Sequence, residues 1–156
     1  MNHEKFDKVI MDIAHSMSKM SNCVKHQVGC VITLDTRIIS TGYNGTPSGY
    51  TNCSEVFGSS DMQLQVNRDT HRKWSADFEI HAEMNAILHA AKHGISLKGA
   101  VLYCTMQPCH NCLKHIVQSG IKEVIYDMPH GKYTTETQNM IDMTGVKVGL
   151  LNEKIY

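Results

Sequence analysis

Two short stretches carry side chains that bind metals or move protons. The first, EIHAEMNAIL (79–88), sets Glu79, His81 and Glu83 at the head of a run whose Met84, Ile87, Leu88 and Ala91 have helical spacing. The second, MQPCHNC (106–112), sets Cys109 and Cys112 three apart behind Pro108, so both thiols fall on one face of a first helical turn. The positive end of a helix and its unbonded N–H groups favour thiolates there. His81, Cys109 and Cys112 make three zinc ligands and leave a fourth position open, which separates a catalytic from a closed structural site. Glu83 can reach that position without ligating and can carry protons between water and a substrate. Alone, the C-x-x-C pair would equally fit a redox dithiol or half of a structural zinc site. The His-x-Glu upstream selects the open, hydrolytic arrangement.

To converge, these groups need a scaffold that brings two helix starts together. Phe6, Val9, Ile10, Ile13, Ala14 and Met17 recur as on an amphipathic helix over the first ~20 residues. VGCVITL (28–34) and RIISTGY (37–43) predict a β-hairpin. Residues 44–70, rich in Gly, Ser, Thr and Asn, predict a long loop of the kind that carries function. A helix from 81 to Gly94, a strand at 100–106, a helix from Cys109 to Ser119, a strand at 122–128, a polar-faced helix at 134–145 and a strand at 146–151 follow. This order predicts one layered α/β domain over 1–156 with a mixed sheet. Two strand-to-helix units in parallel put both helix N-termini on one sheet edge, where His81 can meet Cys109 and Cys112.

The chain has 156 residues, with 15 Lys and Arg against 15 Asp and Glu and a pI of about 7.1. An exposed nucleic-acid groove usually leaves a basic balance, so no nucleic-acid partner is expected. No apolar run reaches membrane-spanning length, and the N-terminus is unlike a secretory signal. A cytoplasmic protein is expected (in the host cytoplasm if the source is viral), with its six cysteines reduced. Cys30 and Cys104 lie in strand-like runs and read as small core residues, and Trp74 reads as loop packing.

The combined H-x-E … P-C-x-x-C pattern is the signature of zinc nucleobase deaminases. With GYNGTPSG (42–49), a cysteine soon after it and EIHAEMNAI (79–87), the sequence from about residue 9 to 150 resembles the deoxycytidylate (dCMP) deaminase family, phage type, of the cytidine deaminase superfamily. The resemblance implies a three-layer α/β/α cytidine deaminase-like fold with a mixed five-stranded sheet. It implies zinc-dependent hydrolysis of dCMP to dUMP, which feeds thymidylate synthesis, with Glu83 as the proton shuttle. Asn44 aligns with the family's sugar-contacting residue, Ala82 is a further substrate contact, and Gly45 and Thr46 fall in the nucleotide-effector region. Lys92 is a candidate for an effector phosphate, although a solvated helix lysine is its simpler account. Tyr126, at a strand end on the expected site edge, is a candidate for lining the base pocket.

Many relatives are homohexamers activated by dCTP with Mg2+ and inhibited by dTTP, and the same is expected here. Cys23, Cys53, His71 and Glu79 align with the second, structural zinc of some phage-type members. Without that alignment the two cysteines are unremarkable, and Glu79 is an acid at a helix start. The family's basic residue ahead of an RSxC-like stretch is Met20 here, before Ser21-Asn22-Cys23, which leaves Lys19 or Lys25 to supply charge for a phosphate. Two alternatives stay open: a tRNA adenosine or free cytidine deaminase, and a zinc- or nucleotide-binding module without catalysis. Neutral charge and GYNGTPSG weigh against the first, and Glu83 against the second.

Overall fold

The computed structural model describes residues 3–153. Helix α1 (His3–Ser18) leads into a hairpin of β1 (Gly29–Leu34) and β2 (Arg37–Tyr43). Its two turn residues, Asp35 and Thr36, both take left-handed backbone (φ 47° and 64°), which matches the twist of a two-residue hairpin. Then come α2 (Cys53–Phe57), α3 (Gln65–Phe78), α4 (Ala82–Lys92), β3 (Val101–Met106), α5 (His110–Gln118), β4 (Glu123–Met128), α6 (Thr135–Thr144), β5 (Lys147–Leu150) and a 3-10 turn at Leu151–Glu153.

The five strands lie in the order β2-β1-β3-β4-β5. β1 is antiparallel to both neighbours, and β3, β4 and β5 are parallel, so β1 alone runs against the other four. The last residues of β2, β3 and β4 and the first of β1 therefore share one edge. Side chains alternate across the sheet. Cys30, Ile32, Leu102, Cys104 and Val124 pack with Ala82, Ala86, Leu113, Ile116 and Ile141 of α4, α5 and α6. Val31, Tyr103 and Ile125 pack with Ile10, Met11 and Ala14 of α1. The result is the expected three-layer α/β/α arrangement with a mixed five-stranded sheet.

Helix α4 lies unusually close to β2. A Cβ on Gly42 would sit 2.3 Å from the Ala82 carbonyl oxygen and 2.6 Å from the Ala86 nitrogen. Ser40 Oγ donates to the Ala86 carbonyl at 2.7 Å, and Asn85 Nδ2 donates to the Tyr43 carbonyl at 2.6 Å. These contacts hold the start of α4, and with it His81 and Glu83, against the end of β2.

The region expected as a loop over 44–70 is corrected by the structure, since it contains α2 and most of the first half of α3. Helix α3 buries only His71, so it has no apolar stripe for periodicity to detect. It packs beside a small separate cluster of Cys23, Cys53 and Phe57, flanked by Val24, Met62 and Trp74. Residues 1–2 of the expected first helix, and 154–156 of the expected single domain, lie outside the described residues.

Candidate active site

His81 and Cys109 are the residues that open α4 and α5, each in extended backbone (ψ 155° and 167°). Glu83 and Cys112 stand in the first turns of the same helices. Both helix N-termini thus face one spot at the sheet edge, with their positive ends favouring thiolates. His81 Nδ1 lies 3.6 Å from Cys109 Sγ and 3.4 Å from Cys112 Sγ. Zinc bonds of ~2.0–2.3 Å in a tetrahedron set ligand atoms about 3.3–3.8 Å apart, so the three atoms fit one ion.

Glu83 is 4% exposed, and burial raises its carboxyl above the usual range while the nearby His81 opposes the rise. Cys109 is held far below the usual thiol range by hydrogen bonding with Cys112 and then His81, whereas Cys112 is pushed up by Cys109 and by burial. The His81 imidazole is raised, first by its contact with Cys109. A thiolate, a second thiol that can give up its proton on binding, and one imidazole are donors suited to a cation.

A cavity of about 330 Å3 opens in front of this cluster, within the size range of small-molecule sites. Its wall includes His81, Ala82, Glu83, Cys109 and Asn44. Asn44 Oδ1 accepts from the Val28 N–H, and its Nδ2 donates to the His26 carbonyl, both at 2.8 Å. The amide thus brackets residues 26–28 against the end of β2, and each amide group retains capacity for one more bond.

A second set of donors lines part of the same wall. His71 Nε2 lies 3.6 Å from Cys23 Sγ and 3.2 Å from Cys53 Sγ. With a Glu79 carboxylate oxygen, all four ligand atoms fall within 4.8 Å of one another. Ser75 Oγ donates to Glu79 Oε2 at 2.7 Å, but Oε1 is buried without a hydrogen-bond partner among the described residues. An orphaned carboxylate oxygen is costly unless a cation satisfies it. Two thiols, an imidazole and a carboxylate fit a closed tetrahedral metal shell.

Not every expected residue reaches the cavity. Tyr126 lies outside it, because β4 continues to Met128 and the chain beyond supplies His130 to the wall instead. Tyr126 lines a separate depression with Lys132 and Tyr133. Gly45 and Thr46 line a third depression of about 410 Å3 that shares Asn44 and Glu79 with the main cavity. Gly45 is held there by paired backbone bonds with Ile80. Lys92 lines neither of these, since it closes α4, ten residues or ~15 Å along the helix from Ala82. Trp74, expected to pack a loop, instead lies in α3 and packs against Phe57 of α2 and Phe78 of its own helix, at 5.4 and 5.6 Å between ring centroids. Sequence reasoning missed His26, Arg72, Gln107 and His130, which also line the cavity. His26 and Arg72 could have been suspected from their nearness to Cys23 and His71.

Residues 4–128 match the family model of the cytidine and deoxycytidylate deaminase zinc-binding region. The chain belongs to that deaminase family. Among its relatives in the family, the deoxycytidylate deaminase of Enterobacteria phage T4 is 37% identical, over 89% of this chain and 86% of that protein. The deoxycytidylate deaminase of Mycobacterium phage D29 is 34% identical, over 81% of this chain and 97% of that protein. The crystal structure of dCMP deaminase from cyanophage S-TIM5, in complex with dCMP and dUMP, superposes with a TM-score of 0.73 at 33% identity. That match covers 94% of this chain and 96% of the cyanophage chain. His81, Cys109 and Cys112 lie within the matched zinc-binding region.

Proposed function

We propose that the protein hydrolyses dCMP to dUMP and ammonia. The observation that carries this reading is the meeting of His81, Cys109 and Cys112 with buried Glu83 at the wall of a ligand-sized cavity. Deaminase relatives at 34–37% identity that are named for deoxycytidylate supply the substrate.

A zinc ion held by His81, Cys109 and Cys112 supplies Lewis acidity that brings the pKa of water at the site to ~7. Glu83 takes a proton from that water as its oxygen adds to C4 of cytosine, and passes the proton to N3. Glu83 then moves the remaining water proton to the C4 amino group, which leaves as ammonia while C4 becomes the carbonyl of uracil. Burial of Glu83 suits both halves of this exchange, because a carboxyl raised above its usual range holds a proton long enough to deliver it. Ala82 contacts the base and Asn44 the sugar, through the bonding capacity its amide retains.

In the same reading, Cys23, Cys53, His71 and Glu79 hold a second, structural zinc, supported by the orphaned Glu79 Oε1. The third depression, with Gly45 and Thr46 in its wall, takes dCTP with Mg2+ as activator or dTTP as inhibitor. The protein works as a homohexamer in the cytoplasm and feeds thymidylate synthesis. Ammonia release from dCMP, CMP, deoxycytidine and tRNA, with and without dCTP, tests the whole reading. Preference for dCMP with a response to dCTP is expected. Preference for tRNA, or release from no substrate, overturns it.

A further inference from the structure

Resting on dCMP as the substrate, we propose that Lys25, His26, Arg72 and His130 clamp its 5′-phosphate, and that the Cys23–Cys53–His71–Glu79 cluster positions the clamp. Apart from the ligands His71 and His81, these four are the basic side chains of the cavity wall. Of the wall's two acids, Glu79 belongs to the Cys23–Cys53–His71–Glu79 cluster and Glu83 stands buried beside His81, Cys109 and Cys112. Among the described residues neither Lys25 nor Arg72 has an ion-pair partner. His26 and His130 meet edge-on, with ring centroids 6.0 Å apart. Two unpaired cations beside two imidazoles make a local positive wall in a chain of zero net charge. A dianionic phosphate complements that wall, and a guanidinium can hold it through two parallel hydrogen bonds.

The chain's departure from its family points the same way. Met20, where a basic residue is expected, is 59% exposed, and neither it nor Lys19 lines the cavity. Lys25 does, so the missing charge is recovered two residues past Cys23, and Arg72 adds a second from α3. The segments bearing these cations have little apolar anchoring. Helix α3 buries only His71, and Lys25 and His26 lie in the connection between α1 and β1. Cys23 and His71 each sit within three residues of a clamp residue, so a metal joining them sets the distance between the two cationic segments. Asn44 holds the His26 segment from the other side.

The test uses zinc-loaded wild-type protein and the variants Arg72→Gln, Arg72→Lys, Lys25→Gln, His130→Gln, Cys53→Ser and Glu79→Gln. Calorimetry measures binding of dUMP against deoxyuridine, and steady-state kinetics compare dCMP with deoxycytidine. Losing one charge-assisted hydrogen bond should weaken dUMP binding about tenfold or more. The preference over deoxyuridine should collapse in Arg72→Gln, and Arg72→Lys should recover part of it. The kinetic loss on dCMP should fall on KM rather than kcat. Cys53→Ser and Glu79→Gln, carrying one zinc per chain, should lose the same preference. The clamp is overturned if Arg72→Gln, Lys25→Gln and His130→Gln all keep the wild-type preference for the 5′-phosphate. The positioning role is overturned if either cluster variant keeps it after losing the second zinc. A wild type that shows no preference for dCMP over deoxycytidine instead defeats the reading of the substrate on which the clamp rests.

Discussion

At the scale of single residues, Glu83 and Cys109 carry the sharpest expectations. Glu83→Gln preserves size and removes only the ability to accept and return a proton. Zinc content should stay at the wild-type level while ammonia release from dCMP falls by about 10^2–10^4-fold, the range for a lost general acid–base. Activity within tenfold of wild type would remove Glu83 from the mechanism. Of the two thiols Cys109 holds the charge, because a hydrogen bond from Cys112 lowers it first, His81 lowers it further, and it is less buried than Cys112. Thiolates alkylate and thiols do not. After chelation at neutral pH, iodoacetamide should label Cys109 well before Cys112, and added zinc should protect both. Peptide mapping that finds Cys112 modified first would reverse the assignment of the charge.

At the scale of elements, the site depends on where α4 begins, and that depends on a glycine. Gly42→Ala drives a methyl group into the backbone of Ala82 and Ala86. Overpacking of this kind costs ~1–3 kcal/mol, so thermal unfolding should drop by several degrees, and kcat should fall because His81 and Glu83 move with α4. Gly45→Ala is the control for stability, since nothing lies within 4 Å of the added Cβ. Equal melting temperatures for the two variants would refute the contact argument. Elements of this kind were mostly legible in the sequence. α4, α5 and the five strands of the hairpin and βαβ units announce themselves by apolar runs, and His81, Glu83, Cys109 and Cys112 by spacing. Helix α3 was not legible, because its one buried residue is a histidine and its partners are Cys23 and Cys53 from distant segments. Tyr126 was misplaced for a related reason. Register shows which face a strand residue takes, but not how far the strand runs before the chain turns, and β4 runs two residues further.

At the scale of the whole molecule, balance of charge separates a mononucleotide enzyme from one that reads a polyanion. Fifteen basic and fifteen acidic side chains cancel, and the cations Lys25 and Arg72, with the imidazoles His26 and His130 beside them, line one cavity. Their field is screened within ~8–10 Å at physiological salt, enough to hold a phosphate once bound but too short to gather a long nucleic acid. A protein that neutralises 6–10 backbone phosphates loses about 10^3–10^5 in affinity between 50 and 200 mM salt. One phosphate engaged in a cavity releases few counterions, so KM for dCMP should rise by no more than about tenfold over the same interval. Over that range tRNA at micromolar concentration should leave dCMP turnover unchanged. A steep salt slope, or inhibition by tRNA at 150 mM salt, would mean that a second basic surface forms in the assembled protein. That result would reopen the tRNA alternative, because the sequence weighs against it on charge balance and such a surface would override the balance of the single chain.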